Sequence, residues 1–109
     1  MNCKLKSRNY FKYFNNQDVI KLSRMFDENI VLVDWVIKVT GKSKVIEANK
    51  NIFKKFKKIK VKIKKMLTNK NIVIAELEIK LSSKLKINVV DILEFNEFGK
   101  LKKITAFKR

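Results

Sequence analysis

The sequence contains no histidine, no proline, one cysteine and two glycines among its 109 residues. Without histidine there is no imidazole base, no Ser–His or Cys–His nucleophile pair and no histidine-bearing zinc site. A single cysteine, Cys3, excludes an internal disulfide, a Cys-x-x-Cys redox pair and an all-cysteine zinc site. It lies close to the chain start with no histidine to activate it, so it reads as an incidental thiol. Gly41 and Gly99 alone cannot build a glycine-rich phosphate loop. No metal or cofactor is therefore expected. No stretch reaches the roughly 18 apolar residues of a membrane span. The opening MNCKLKSRNYFKYF lacks the apolar core and cleavage site of a secretory signal, and a cytoplasmic location is expected.

Acids are scarce as well: 10 Asp and Glu stand against 27 Lys and Arg, a net charge of +17. Only three of the cations are arginine. Lysine and asparagine rise together along the whole chain, which reads as a bias of composition more than a built patch. The segment KNIFKKFKKIKVKIKK holds nine lysines in sixteen residues. It reads as a helix and strand with solvated outer faces; binding of a phosphate backbone or acidic lipid is the weaker reading. The chain is 46% hydrophobic with eight phenylalanines, too apolar for a disordered polycation. Its length suits one domain, residues 1–109, around one modest core.

Hydrophobic spacing divides the chain into elements. Leu5, Tyr10, Phe11, Tyr13 and Phe14 recur at helical intervals between Lys4 and Asn16. Asp18 is placed to cap a second helix with Val19, Leu22, Met25 and Phe26 on its apolar side, ended by Asp27-Glu28-Asn29. Ile30 to Val39 is β-branched and aromatic, hence a strand. Thr40-Gly41-Lys42-Ser43 is a turn before a third helix over Lys44 to Phe56, with Val45, Ala48, Ile52, Phe53 and Phe56 on one face. The period then switches to two. Ile59, Val61 and Ile63 alternate with lysines. Val73, Ala75, Leu77, Ile79 and Leu81 form the inner set of the next strand. Leu85, Ile87, Val89, Asp91, Leu93 and Phe95 form that of a third. Asn96-Glu97-Phe98-Gly99 is a turn, and Leu101 to Phe107 is the last strand. Three helices against a sheet is an α+β layer arrangement.

Two acids stand in apolar strands. Asp91 shares parity with Val89, Leu93 and Phe95; either it faces the core, paired or protonated, or a bulge turns it to water. Asp34 is the only charge in IVLVDWVI. Buried, it has the raised pKa of a general base; at a strand end, it reaches water. Tyr10 offers a ring to pack and a hydroxyl to donate, with Tyr13 the competing choice. Trp35 fits a pocket wall, a dimer contact or plain core.

The stretch YFKYFNNQDVIKLSRMFDENIVLVDW resembles the opening of the SnoaL-like, nuclear transport factor 2-like superfamily. Its spacing resembles that of bacterial ketosteroid isomerase. In that family a Tyr begins the motif, Asn and Asp follow at the helix junction, and a Phe precedes the base Asp by eight. Here these are Tyr10, Asn15, Asp18, Phe26 and Asp34. The family's second acid opens D-x-x-x-F-N-x-x-G-K, which DILEFNEFGK supplies as Asp91. Where the family has Pro after the base, this chain has Trp35.

The resemblance implies a cone: three helices packed on a strongly curved mixed, mostly antiparallel sheet around an apolar pocket. It implies Asp34 as proton-abstracting base, with Tyr10 and a protonated Asp91 donating hydrogen bonds to an enolate oxygen. Tyr13, Phe14, Trp35, Phe53 and Val89 are the expected pocket lining. The function expected is that of a small pocket protein, as a cofactor-independent isomerase of a hydrophobic, steroid-like or polyketide-like carbonyl compound. A non-catalytic binding or accessory domain, and a cyclase or dehydratase, are the alternatives. Superfamily members pair through the open sheet face. Ile74, Val90 and Ile92 are apolar on that outward side, so a homodimer is expected.

Overall fold

A computed structural model describes residues 1–109. The elements run α1 (Cys3–Asn15), α2 (Val19–Met25), β1 (Phe26–Val33), β2 (Lys38–Thr40), α3 (Lys42–Lys55), β3 (Lys60–Asn69), β4 (Ile72–Lys80), β5 (Lys86–Phe95) and β6 (Leu101–Lys108). The strands form one sheet in the order β2-β1-β6-β5-β4-β3. Only β1 and β6 are parallel; every other neighbouring pair is antiparallel. No helix is long and apolar enough to cross a membrane.

The α+β arrangement stands, three helices on a mixed, mostly antiparallel sheet, but the strongly curved cone does not: the sheet is not strongly curled. It stays open, with β2 and β3 as separate edges, in a molecule of 40 × 29 × 23 Å. Tight curling uses repeated bulges and glycine kinks. Irregularities occur between Phe26 and Val31, Ile63 and Lys65, and Glu94 and Phe95, but the central pair β4–β5 runs from Ile72↔Glu94 to Lys80↔Lys86 without a shift, and both glycines lie outside the strands.

The run IVLVDWVI also departs from expectation, since it is not one strand. The Asp34 side chain turns it. Its Oδ1 accepts the N–H groups of Val36 (2.7 Å) and Ile37 (2.8 Å), while its own N–H donates to the Ile37 carbonyl (3.0 Å). An Asp that satisfies the backbone two and three residues on makes a turn where β-propensity alone asks for extended chain. The short strand β2 results. Phe26 belongs to β1, not to the second helix, and Asp27–Asn29 are strand residues.

Other local readings hold. Asp18 caps α2 by accepting from the Lys21 N–H at 3.1 Å. Gly99 takes φ +77° in the β5–β6 turn, where the Asn96 side chain accepts from the N–H groups of Phe98 and Lys100. Cys3, by contrast, is no loose terminal thiol: it opens α1 and is buried in the core. Leu85 lies outside β5 and is exposed.

The helices divide the inner face. The main contacts of α1 are with β3 and β4, those of α3 with β1 and β2, and α2 touches both helices. The central strands β5 and β6 therefore run beneath the seam between α1 and α3. Phe14 and Phe53 close that seam, edge to face at 4.9 Å. At the far side of α1, the Asn15 amide grips the edge strand: Nδ2 donates to the Val61 carbonyl (2.9 Å) and Oδ1 accepts from the Val61 N–H (2.7 Å).

Candidate functional site

Alternation along β5 places Val89, Asp91, Leu93 and Phe95 on the inner face, all buried. Asp91 faces inward because its parity is that of the core. Its cross-strand partners are Ala75 of β4 and Ala106 of β6. Two of the chain's three alanines thus flank this carboxyl and leave it uncrowded.

β1 pairs with β6 through Leu32↔Ile104 and Val33↔Thr105. Asp34 follows directly, at the turn where this pairing ends, and its charge is felt at Asp91. Ala75, Asp91 and Ala106 form a single inner row, and Asp34 lies just beyond the last β1–β6 pair. Ala106 and Asp34 are half-buried, so this end of the row keeps contact with solvent. Asp34 commits Oδ1 to its turn, and Oδ2 has no partner in the chain.

Burial pushes the Asp91 carboxyl from its ordinary 3.8 up to about 7, and the Asp34 charge adds to the rise. Burial likewise raises the Tyr10 hydroxyl, with the Asp91 charge as the second cause. Tyr10 is 5% exposed on α1, its ring centre 5.1 Å from that of Phe11 and 6.4 Å from those of Phe14 and Phe26. A neutral phenol and a carboxyl that is partly protonated at neutral pH thus lie close together, with a second carboxyl near enough for its charge to act on the first. Two donors and one acceptor of this kind can hold an oxygen as it gains charge and take up a proton nearby.

Of the other expected residues, Phe14 and Phe53 form the seam contact, and Val89 is the next inward residue on β5. Trp35 sits on the β1–β2 turn and is 47% exposed. Tyr13 is half-buried toward α2, where Lys21 Nζ lies 5.5 Å from its ring centre. Two open depressions of about 450 and 500 Å³ lie elsewhere, one between α1 and β3 around Arg8, Phe11 and Ile63, the other beside Met1, Asn2 and Thr68. No three Cys, Asp or Glu side chains come close enough to hold a metal ion.

Asn49 is the residue that the periodicity concealed. The buried stripe of α3 is Val45, Asn49 and Phe53, while Ile52 is 36% exposed. An asparagine spaced four residues from apolar neighbours on both sides is the signal that marks it.

A family model for the SnoaL-like domain matches residues 7–104. The chain belongs to the SnoaL-like domain family. No curated protein matches this SnoaL-like domain. Among solved structures it resembles an NTF2-like protein of unknown function from Cytophaga hutchinsonii, with TM-score 0.86, 12% identity, and 100% of this chain and 91% of that one covered. It also resembles a proposed ketosteroid isomerase from Kribbella flavida, with TM-score 0.88, 15% identity and coverage of 98% and 77%. A third likeness is to an epoxide hydrolase/cyclase-like enzyme of pyran ring formation in the polyether salinomycin, with TM-score 0.80, 19% identity and coverage of 98% and 90%. At these identities the likeness concerns the fold.

Proposed function

We propose that this SnoaL-like domain binds a small, largely apolar carbonyl compound, steroid-like or polyketide-like, and moves a proton on it. The observation that carries the reading is the electrostatic chain of three groups, in which the charge of half-buried Asp34 acts on buried Asp91 and that of Asp91 on buried Tyr10. Asp34 takes a proton from the carbon alpha to the carbonyl through its free Oδ2. The C–H electron pair moves into an enolate, whose oxygen accepts hydrogen bonds from Tyr10 and from protonated Asp91. The proton returns at the conjugated carbon and the double bond shifts. A cyclase or dehydratase would use the same acid on a different compound.

The test is isomerisation of a β,γ-unsaturated ketone by the wild type and by Asp34→Asn. A large loss in a folded variant is expected, since the amide keeps the shape without the basicity. Equal rates, or no turnover above buffer across a panel of such ketones, would end the isomerase reading. A second reading, binding without catalysis, draws on the turn: Oδ1 of Asp34 already serves the backbone of Val36 and Ile37. Ligand binding that persists unchanged in Asp34→Asn, without turnover in either protein, would favour it.

The same reading includes a homodimer through the outer sheet face. Ile74 pairs with Ile92 there, and Leu67 and Phe107 extend the apolar surface. It also includes a cytoplasmic setting, in which a lone thiol such as Cys3 stays reduced.

A further inference from the structure

Asn49 is 6% exposed, and its Nδ2 is the one buried side-chain nitrogen or oxygen of the chain that is both sealed and without a hydrogen-bond partner. A sealed donor left unpaired costs stability, and asparagine is a poor residue for a helix interior. Leucine at this place in α3 would avoid both costs. A burden of this kind needs an explanation.

Its position supplies one. Asn49 lies one turn before Phe53 on the inner stripe of α3, and Tyr10 lies one turn before Phe14 on α1. Phe14 and Phe53 touch. Both helices run toward the same end of the sheet, since Asn15, closing α1, bonds Val61, and α3 leads through Ile59 into that same strand. Tyr10 and Asn49 thus each lie one turn before the aromatic contact that joins α1 to α3, on the buried stripe of their own helix.

We propose that Asn49 is a ligand-binding residue, whose Nδ2–H donates to a second acceptor oxygen of the molecule held between α1 and α3. This rests on the functional reading above and narrows it. The ligand carries two oxygen functions on separate parts of an apolar frame, one for Tyr10 and Asp91 and one for Asn49. The amide is a specificity-determining group: it favours a diketone over the matching monoketone because only the diketone relieves the stranded donor.

The experiment compares 2-decalone with its diketone analogue, whose second carbonyl lies on the far ring. Binding to the wild type, Asn49→Leu and Asn49→Ala is measured by calorimetry, together with thermal unfolding of the free proteins. The wild type is expected to prefer the diketone by about tenfold or more, the worth of one buried hydrogen bond. Asn49→Leu loses that preference and melts about 5 °C higher. Asn49→Ala also loses the preference, which separates a missing donor from a filled space. In 15N-labelled wild type, the Asn49 side-chain amide protons shift downfield with the diketone and stay in place with 2-decalone. Lower melting of Asn49→Leu, or equal weakening of both ketones, would make Asn49 a packing residue and overturn the proposal. Absence of isomerisation with these binding results intact would overturn the reaction and leave Asn49 in place. Failure of both ketones to bind the wild type would overturn both.

Discussion

Asp34 and Asp91 are near enough for the charge of the first to raise the pKa of the second, the first half-buried at a turn and the second buried on the inner face of β5. Burial pushes the Asp91 carboxyl up, whereas Asp34 keeps contact with solvent. That difference gives the pair chemical use, because two identical carboxylates would supply two acceptors and no donor.

The Asp91 carboxyl lies near 3.8 in ordinary surroundings and near 7 in the fold. The folded chain therefore binds more protons than the unfolded chain between about pH 4 and pH 7, and this contribution to stability falls as pH rises through that window. Asp91→Asn is neutral throughout. Thermal unfolding from pH 4 to pH 8 should show the wild type losing ground to the variant on the alkaline side. Turnover, where it occurs, should fall above about pH 7 in the wild type and stay level in Asp91→Asn, whose amide still donates. Parallel profiles for the two proteins would contradict the assignment.

Asp34 has a charge and a turn to maintain, and two substitutions separate them. Asp34→Asn keeps an acceptor for the N–H groups of Val36 and Ile37, so its melting temperature should stay near that of the wild type. Asp34→Ala loses both bonds and should melt about 5–10 °C lower. Either change removes the charge facing Asp91, so a carbon-detected titration should show the Asp91 pKa moving down in both.

Ala106, opposite Asp91 on β6, leaves the space beside that carboxyl uncrowded. Ala106→Leu puts a branched side chain there. Because Ala106 is half-buried, the stability cost should be about 1–2 kcal/mol at most. Ketone binding, measured by calorimetry, should be lost. Undiminished binding would mean that the ligand lies elsewhere.

The outer sheet face should hold two copies together. Sedimentation at moderate salt should give a dimer that weakens as salt is withdrawn, because +17 charges on each chain repel more strongly when unscreened. Ile74→Lys, set against Ile92, should yield a monomer under all conditions. A wild-type monomer at high micromolar concentration would remove the dimer.

Periodicity made much of this legible. The helical spacing around Tyr10 and the strict alternation through Val89, Asp91 and Leu93 announce their elements, and parity alone aims Asp91 inward. The turn at Asp34 was hidden because every residue around it favours extended chain; a side chain capping its own backbone leaves no trace in a hydrophobic pattern. Curvature was hidden for a different reason. Alternation tells which face a residue occupies, and says nothing of how far successive strands bend. Asn49 is hard to see because Val45, Ala48, Ile52, Phe53 and Phe56 read as one broad apolar face, whereas the buried stripe is Val45, Asn49 and Phe53.

Asn15 gives the outermost strand a partner that is not a strand. A bare sheet edge is a template on which another molecule can extend the ladder, one copy upon the next. Here an amide side chain occupies both Val61 groups that a visiting backbone would use. The exposed Lys60, Lys62, Lys64 and Lys65 line the same strand with like charge. Like charge along an open edge disfavours the approach of another strand. Removing the Asn15 amide would free both Val61 groups at the start of β3 for another backbone.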